Sequence, residues 1–169
     1  MAAEQFAAVV RAAGVKTVVD VRRYPASRRH PHFSGEAMAA WLPANGVDYR
    51  WLAALGGRRR PSPDSPNTAW RNEQFRAYAD HMATDEFAAG VDQLKELAVH
   101  VPVAVMCSEA VWWRCHRRLL ADHLVLVEGI SVYHVFHDCR LTPHEPLAGA
   151  RRDGSHVVYP VSNVAHPGP

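Results

Sequence analysis

Between Val103 and Leu120 the chain reads VAVMCSEAVWWRCHRRLL, which places two thiols (Cys107, Cys115), a carboxylate (Glu109), an imidazole (His116) and three arginines within one short run. These residue types support three kinds of chemistry. A cysteine that ends a buried strand and faces the N-terminus of a following helix can be held as a thiolate nucleophile or redox thiol. Cysteine and histidine together can ligate a soft divalent metal. Arginines at a helix start can clamp an anion, with Arg117 a candidate.

The spacing leaves all three open. Glu109 follows Cys107 by two residues, so its carboxylate would repel an anionic substrate and raise the thiol pKa. Cys107 read simply as a small buried core residue is the plain alternative. If the helix begins at Arg114, the adjacent Cys115 and His116 point about 100° apart and do not readily share a metal. Cys107 and Glu109 with one of His30, His32 or His116 is then the metal set the spacing allows, and His116 alternatively locks the loop by hydrogen bonding.

A second constellation lies upstream, in VDVRRYPASRRHPHFS. Strand alternation puts Asp20 and Arg22 on one face. They read either as an ion pair or as an acid–base group beside an anion clamp made with Arg28 and Arg117. Tyr24, Ser27, His30 and His32 add hydrogen-bonding groups suited to phosphate or a nucleobase. Of Trp112 and Trp113, one is expected to pack inside and the other to be exposed for stacking.

The elements that must position these groups follow from periodicity. Glu4 to Ala13 carries an apolar stripe at helical spacing, and Gly14 stops it. VKTVVDV, ending at Val21, is nearly continuous in β-branched residues, as in a buried parallel strand. Ser34 caps a helix running to about Ala44, closed by Asn45-Gly46. Val47 to Leu52 is a strand, and GGRRRPSPDSPN from Gly56 is a long loop of the kind that forms lids. Helices are expected over Glu73 to Met82 and, capped by Thr84, over Asp85 to Val99. Val101 to Met106 is expected as the central strand, followed by a helix from Arg114 to Leu124 and a strand from Ser131 to Phe136. The alternation predicts an α/β fold: a three-layer sandwich with a mainly parallel, Rossmann-like sheet. Its carboxyl edge would gather Asp20, Arg22, Cys107, Glu109 and His134. After His137 periodicity is lost, with one hairpin signal at Asp153-Gly154. Residues 1–137 are therefore read as the α/β domain and 138–169 as an irregular extension or hairpin of it.

Asp-Val-Arg, Pro-x-Ser-Arg, Leu-Gly-Gly, Cys-x-Glu, Cys-His-Arg and a late Val-x-His-Val occur here in one order between Phe6 and Val135. In order and spacing they resemble the bacterial DUF488 family, which has no generally assigned activity. The resemblance implies the fold and leaves function to be argued from the site. Two departures stand out. Family members usually begin with a short strand ending in Thr-Ile-Gly-His-Ser or similar, whereas this chain begins at the helix after it. Either the start is placed late or the protein lacks one strand, and in the second case an unpaired position is expected beside Thr17 to Val21. The acidic residue that family members often carry before Leu-Gly-Gly is Ala54 here.

The 169 residues suffice for one domain with a core. No stretch has the length of a membrane span or the order of a signal peptide, which points to a cytoplasmic protein. Three irregularly spaced cysteines argue against a disulfide framework. Of nineteen Lys and Arg residues only Lys16 and Lys95 are lysine, leaving seventeen arginines. Codon bias explains the excess but not its clustering at Arg22-Arg23, Arg28-Arg29, Arg58 to Arg60 and Arg114 to Arg118. The leading expectation is a small anionic or phosphorylated ligand in an Arg-lined pocket at the carboxyl edge. The alternatives are a metal-dependent or redox thiol site at Cys107, Cys115 and His116, and a nucleic-acid-binding module. The net charge of +2 favours a focused site over a broad DNA-binding face.

Overall fold

The computed structural model describes residues 1–161 and builds a mixed α/β protein around a three-stranded parallel sheet with five α-helices. Helix α1 (Ala3–Ala12) leads into β1 (Thr17–Asp20), α2 (Gly35–Ala44) and β2 (Asp48–Trp51). Then come α3 (Glu73–His81), α4 (Asp85–His100), β3 (Val103–Met106) and α5 (Arg117–Leu126). The capping chemistry expected from sequence is in place. Ser34 Oγ accepts from Ala37 N at 3.2 Å and Thr84 Oγ1 from Phe87 N at 3.3 Å, each satisfying an otherwise orphaned amide of the first turn.

Strand order is β2-β1-β3. Thr17 pairs with both Asp48 and Val103, and Asp20 with both Trp51 and Met106. This corrects two expectations: β1, not the strand at 101–106, is central, and no unpaired position lies beside it. β1 is buried at every position, whereas β3 is only half-buried along its length, as suits an edge. Val18 faces a cluster with Val10 of α1 and Met38 and Leu42 of α2. Val19 and Val21 face the opposite cluster, with Tyr78, Phe87, Val91, Leu119 and Leu120 of α3, α4 and α5.

The alternation of helix and parallel strand ends there. β4 (Tyr133–Val135) pairs antiparallel with β5 (Leu141–Pro143) in a separate ladder, because Tyr133 and Val135 face solvent and only His134 is buried. A strand with one wet face does not fill a doubly covered parallel sheet. The hairpin expected at Asp153-Gly154 forms from β6 (Arg151–Asp153) and β7 (His156–Val158). It is more than a surface decoration, since Val157 and Tyr159 are 0 % and 1 % exposed in the main core. Residues 162–169 of the expected extension lie outside the described residues. Among the described residues no helix is long and apolar enough to cross a membrane.

Candidate metal centre

Because β1, β2 and β3 are parallel, their carboxyl ends open onto one edge, and the segments leaving them are tied together there. Trp51 Nε1 donates to the Arg22 carbonyl at 2.8 Å, and His116 Nε2 lies 3.1 Å from the Val21 carbonyl. That carbonyl can only accept, so Nε2 carries the proton and Nδ1 the lone pair. Leu-Gly-Gly explains itself at this junction. A Cβ on Gly56 would lie 2.6 Å from Arg23 N, and one on Gly57 would lie 3.0 Å from His116 Nδ1.

The helix expected from Arg114 begins instead at Arg117, and this changes the chemistry. Trp112 to Arg114 forms a 3-10 turn, and Cys115 is extended at φ −139° and ψ 170°. Cys115 and His116 are therefore not successive helical positions, and the 100° objection to a shared ligand is removed. One ligating atom each from Cys107, Cys115 and His116 lies within 4.8 Å of the other two. Arg117 Nε donates to Cys115 Sγ at 3.1 Å, and Glu109 N to Cys107 Sγ at 3.3 Å. Arg117 also donates to the Glu109 carbonyl.

The Cys107 thiol as a donor, followed by the Arg117 guanidinium, holds the Cys115 thiol down at about 6. The same exchange, with burial, pushes Cys107 up. Burial lowers His116 to about 4, so it is a neutral imidazole at neutral pH.

The other sequence candidates take different places. Asp20 is fully buried and receives Arg22 Nε at 2.8 Å and Tyr49 Oη at 2.7 Å. Burial opposes the Arg22 charge, but Asp20 outweighs it and the Arg22 pKa rises. Tyr49, which sequence reading missed, is pushed up by burial and by Asp20. Arg23 and Arg59 both bind Glu86, at 2.7 and 2.8 Å. Tyr24 and Arg28 are exposed, Ser27 caps the His30 amide at 3.2 Å, and the Glu109 side chain is exposed. His134 stacks on Trp112, ring centroids 3.7 Å apart, and its Nε2 is 2.9 Å from His144 Nδ1.

Behind His134 is a network that the sequence pattern did not reveal. Asp122, fully buried in α5, is bonded by His144 Nε2 at 2.8 Å, Tyr159 Oη at 2.7 Å and Leu147 N at 3.1 Å. Its signal was a lone carboxylate inside the apolar run LLADHLVL.

The fold and site thus define an α/β protein with two thiols and an imidazole gathered where its parallel strands end. The chain belongs to the family described as domain of unknown function DUF488, whose model matches residues 2–124 and so spans the whole cluster. Neither the comparison with curated proteins nor that with solved structures gives a match.

Proposed function

We propose that Cys107, Cys115 and His116 hold a soft divalent metal ion, and that the protein performs metal-dependent chemistry on an anionic ligand at the carboxyl edge. The carrying observation is the convergence of the three ligating atoms within 4.8 Å. Ligands bound tetrahedrally at about 2.0–2.3 Å lie roughly 3.5–3.8 Å apart, so a contraction of about 1 Å closes the site. The surroundings fit. The Val21 carbonyl fixes the tautomer that presents Nδ1, as outer-shell acceptors do for ligating histidines. Each sulfur receives an N–H donor. Two thiolates balance a divalent charge, so Arg117 does not confront a net cation. Three protein ligands leave a fourth position for water or substrate, where the ion can act as a Lewis acid or lower the pKa of a bound water.

The arginines are then clamps for the ligand rather than the site itself. Arg22, Arg23 and Arg59 are already engaged by carboxylates, which leaves Arg28 and its exposed neighbours for that role. A cavity of about 340 Å³ lined by Phe87, Val91, His123 and Glu128 includes none of them. The apolar clusters on opposite sheet faces support reading the fold as a three-layer, Rossmann-like sandwich, and three free cysteines suit a reducing cytoplasm.

The test is elemental analysis of protein purified anaerobically without chelators, beside Cys107→Ser and Cys115→Ser variants whose folding is checked by circular dichroism. Near-stoichiometric zinc or iron in the wild type, with at least a tenfold loss in both variants, is expected. A folded wild type that holds no metal, and takes none up from added zinc, would overturn the reading and leave a redox dithiol.

A further inference from the structure

Around the proposed metal site stands a rim whose composition points to a partner. Three large aromatic side chains are exposed on it, one on each segment at a strand's carboxyl end: Tyr24 after β1 at 66 %, Trp51 closing β2 at 50 %, and Trp113 after β3 at 44 %. Exposing one such ring is ordinary, but three on the same edge of a small domain need a reason. Trp51 is also held in place through its indole N–H on the Arg22 carbonyl at 2.8 Å. A ring fixed at the surface loses little entropy when something stacks on it.

The charge on the same segments is one-sided. Arg28, Arg29, Arg58, Arg60 and Arg114 are all exposed, and among the described residues none of them forms an ion pair. Across 22–30, 51–60 and 108–114 the one carboxylate is Glu109. The molecule's net charge of +2 therefore hides a local concentration of guanidinium at this edge. The segments meet around Val21 to Arg23 through the Trp51, Gly56 and His116 contacts, so the stretches that carry the rings and cations leave the sheet at one edge.

Guanidinium for phosphate and exposed rings for unpaired bases are together the chemistry of single-strand recognition. A duplex would meet the cations but offer no open base faces to the rings. We propose that this rim binds single-stranded nucleic acid, its phosphates against Arg28, Arg29, Arg58, Arg60 and Arg114 and its bases against Tyr24, Trp51 and Trp113. The inference goes beyond the metal reading and uses none of its three ligands, although Arg28 and its exposed neighbours are shared with the anion clamp proposed there.

Fluorescence anisotropy of labelled oligothymidylate, against a duplex of equal length and thymidine monophosphate as competitor, tests it on metal-loaded and metal-stripped protein alike. Saturable single-strand binding is expected, at least tenfold tighter than duplex, with log affinity falling against log salt by about 0.7 per phosphate engaged. Trp51→Ala and Tyr24→Ala should each weaken it about fivefold or more, and an Arg28→Ala, Arg29→Ala pair should lower the salt slope. Equal or tighter binding of duplex, indifference to loss of the rings, or complete displacement by equimolar thymidine monophosphate would each overturn the proposal. None of these outcomes bears on metal content, so the two readings fail separately.

Discussion

Gly57 is where the proposed metal site depends on a missing side chain. Its backbone φ is not in the left-handed region, so alanine is conformationally acceptable there, and the only cost is the methyl group 3.0 Å from His116 Nδ1. Gly57→Ala should therefore leave the melting temperature nearly unchanged while weakening zinc about tenfold, measured by competition with a chromophoric chelator. Gly56→Ala provides the contrast. Its methyl would meet backbone atoms of Arg23 at 2.6 and 2.8 Å, which cannot rotate away, so a loss of about 1–3 kcal/mol in stability is expected. Unchanged zinc affinity in Gly57→Ala would show that Nδ1 is not the ligating atom. The glycines were legible in the sequence as part of a motif. Their separate reasons were not, because the atoms they make room for lie on distant segments.

At the scale of elements, the sequence announced what depends on local pattern and missed what depends on a single bend. The Ser34 and Thr84 caps fall where their side chains compete for first-turn amides, and the β-branched run of β1 is the buried strand it reads as. Arg-Cys-His-Arg-Arg, by contrast, reads as uninterrupted helix. It is broken because Cys115 turns back to the Trp112 carbonyl and receives Arg117, contacts that no propensity scale contains. The delayed start of the helix is what brings Cys115 and His116 to one point.

The network joining α5 to β4 and β5 also makes a prediction in pH. Burial, then His144 and Arg117, lowers His134 to about 4 from an ordinary 6.5, with Asp122 behind His144 as the remaining charged group. A base depressed in the fold binds fewer protons than in the unfolded chain between those two values. Its contribution to stability is therefore complete above about 6.5 and lost as pH falls toward 4. Urea midpoints should decline across that window, and His134→Gln should flatten the decline. His81, His116 and His123 are also held low by burial, so some slope should persist. A midpoint profile identical to wild type would remove His134 from the set.

For the whole molecule the question is whether residues beyond His137 belong to the fold or are merely appended to it. The sequence shows no periodicity there because the segment contributes isolated anchors rather than a stripe. Val157 and Tyr159 enter the core among Tyr78, Leu119 and Leu120, and Tyr159 N donates to Asn67 Oδ1 at 2.9 Å while its carbonyl takes Ala69 N at 3.0 Å. Asn67 is in turn bonded to Asp80 of α3 at 2.8 Å, so the segment closes a path from α3 through the long loop to α5. Ending the chain after His137 would leave a void of aromatic size, which costs about 3–5 kcal/mol. It would also strip Asp122 of His144, Leu147 and Tyr159 at once, leaving a buried carboxylate unpaired. Together these approach the whole stability of a small domain, about 5–15 kcal/mol. The truncated chain should then lose near-ultraviolet circular dichroism and a sigmoidal urea transition, although every candidate metal ligand is still present. A cooperative transition in the truncated chain would instead make residues 1–137 a self-sufficient domain and reduce Asp122 to a tether for the C-terminal segment.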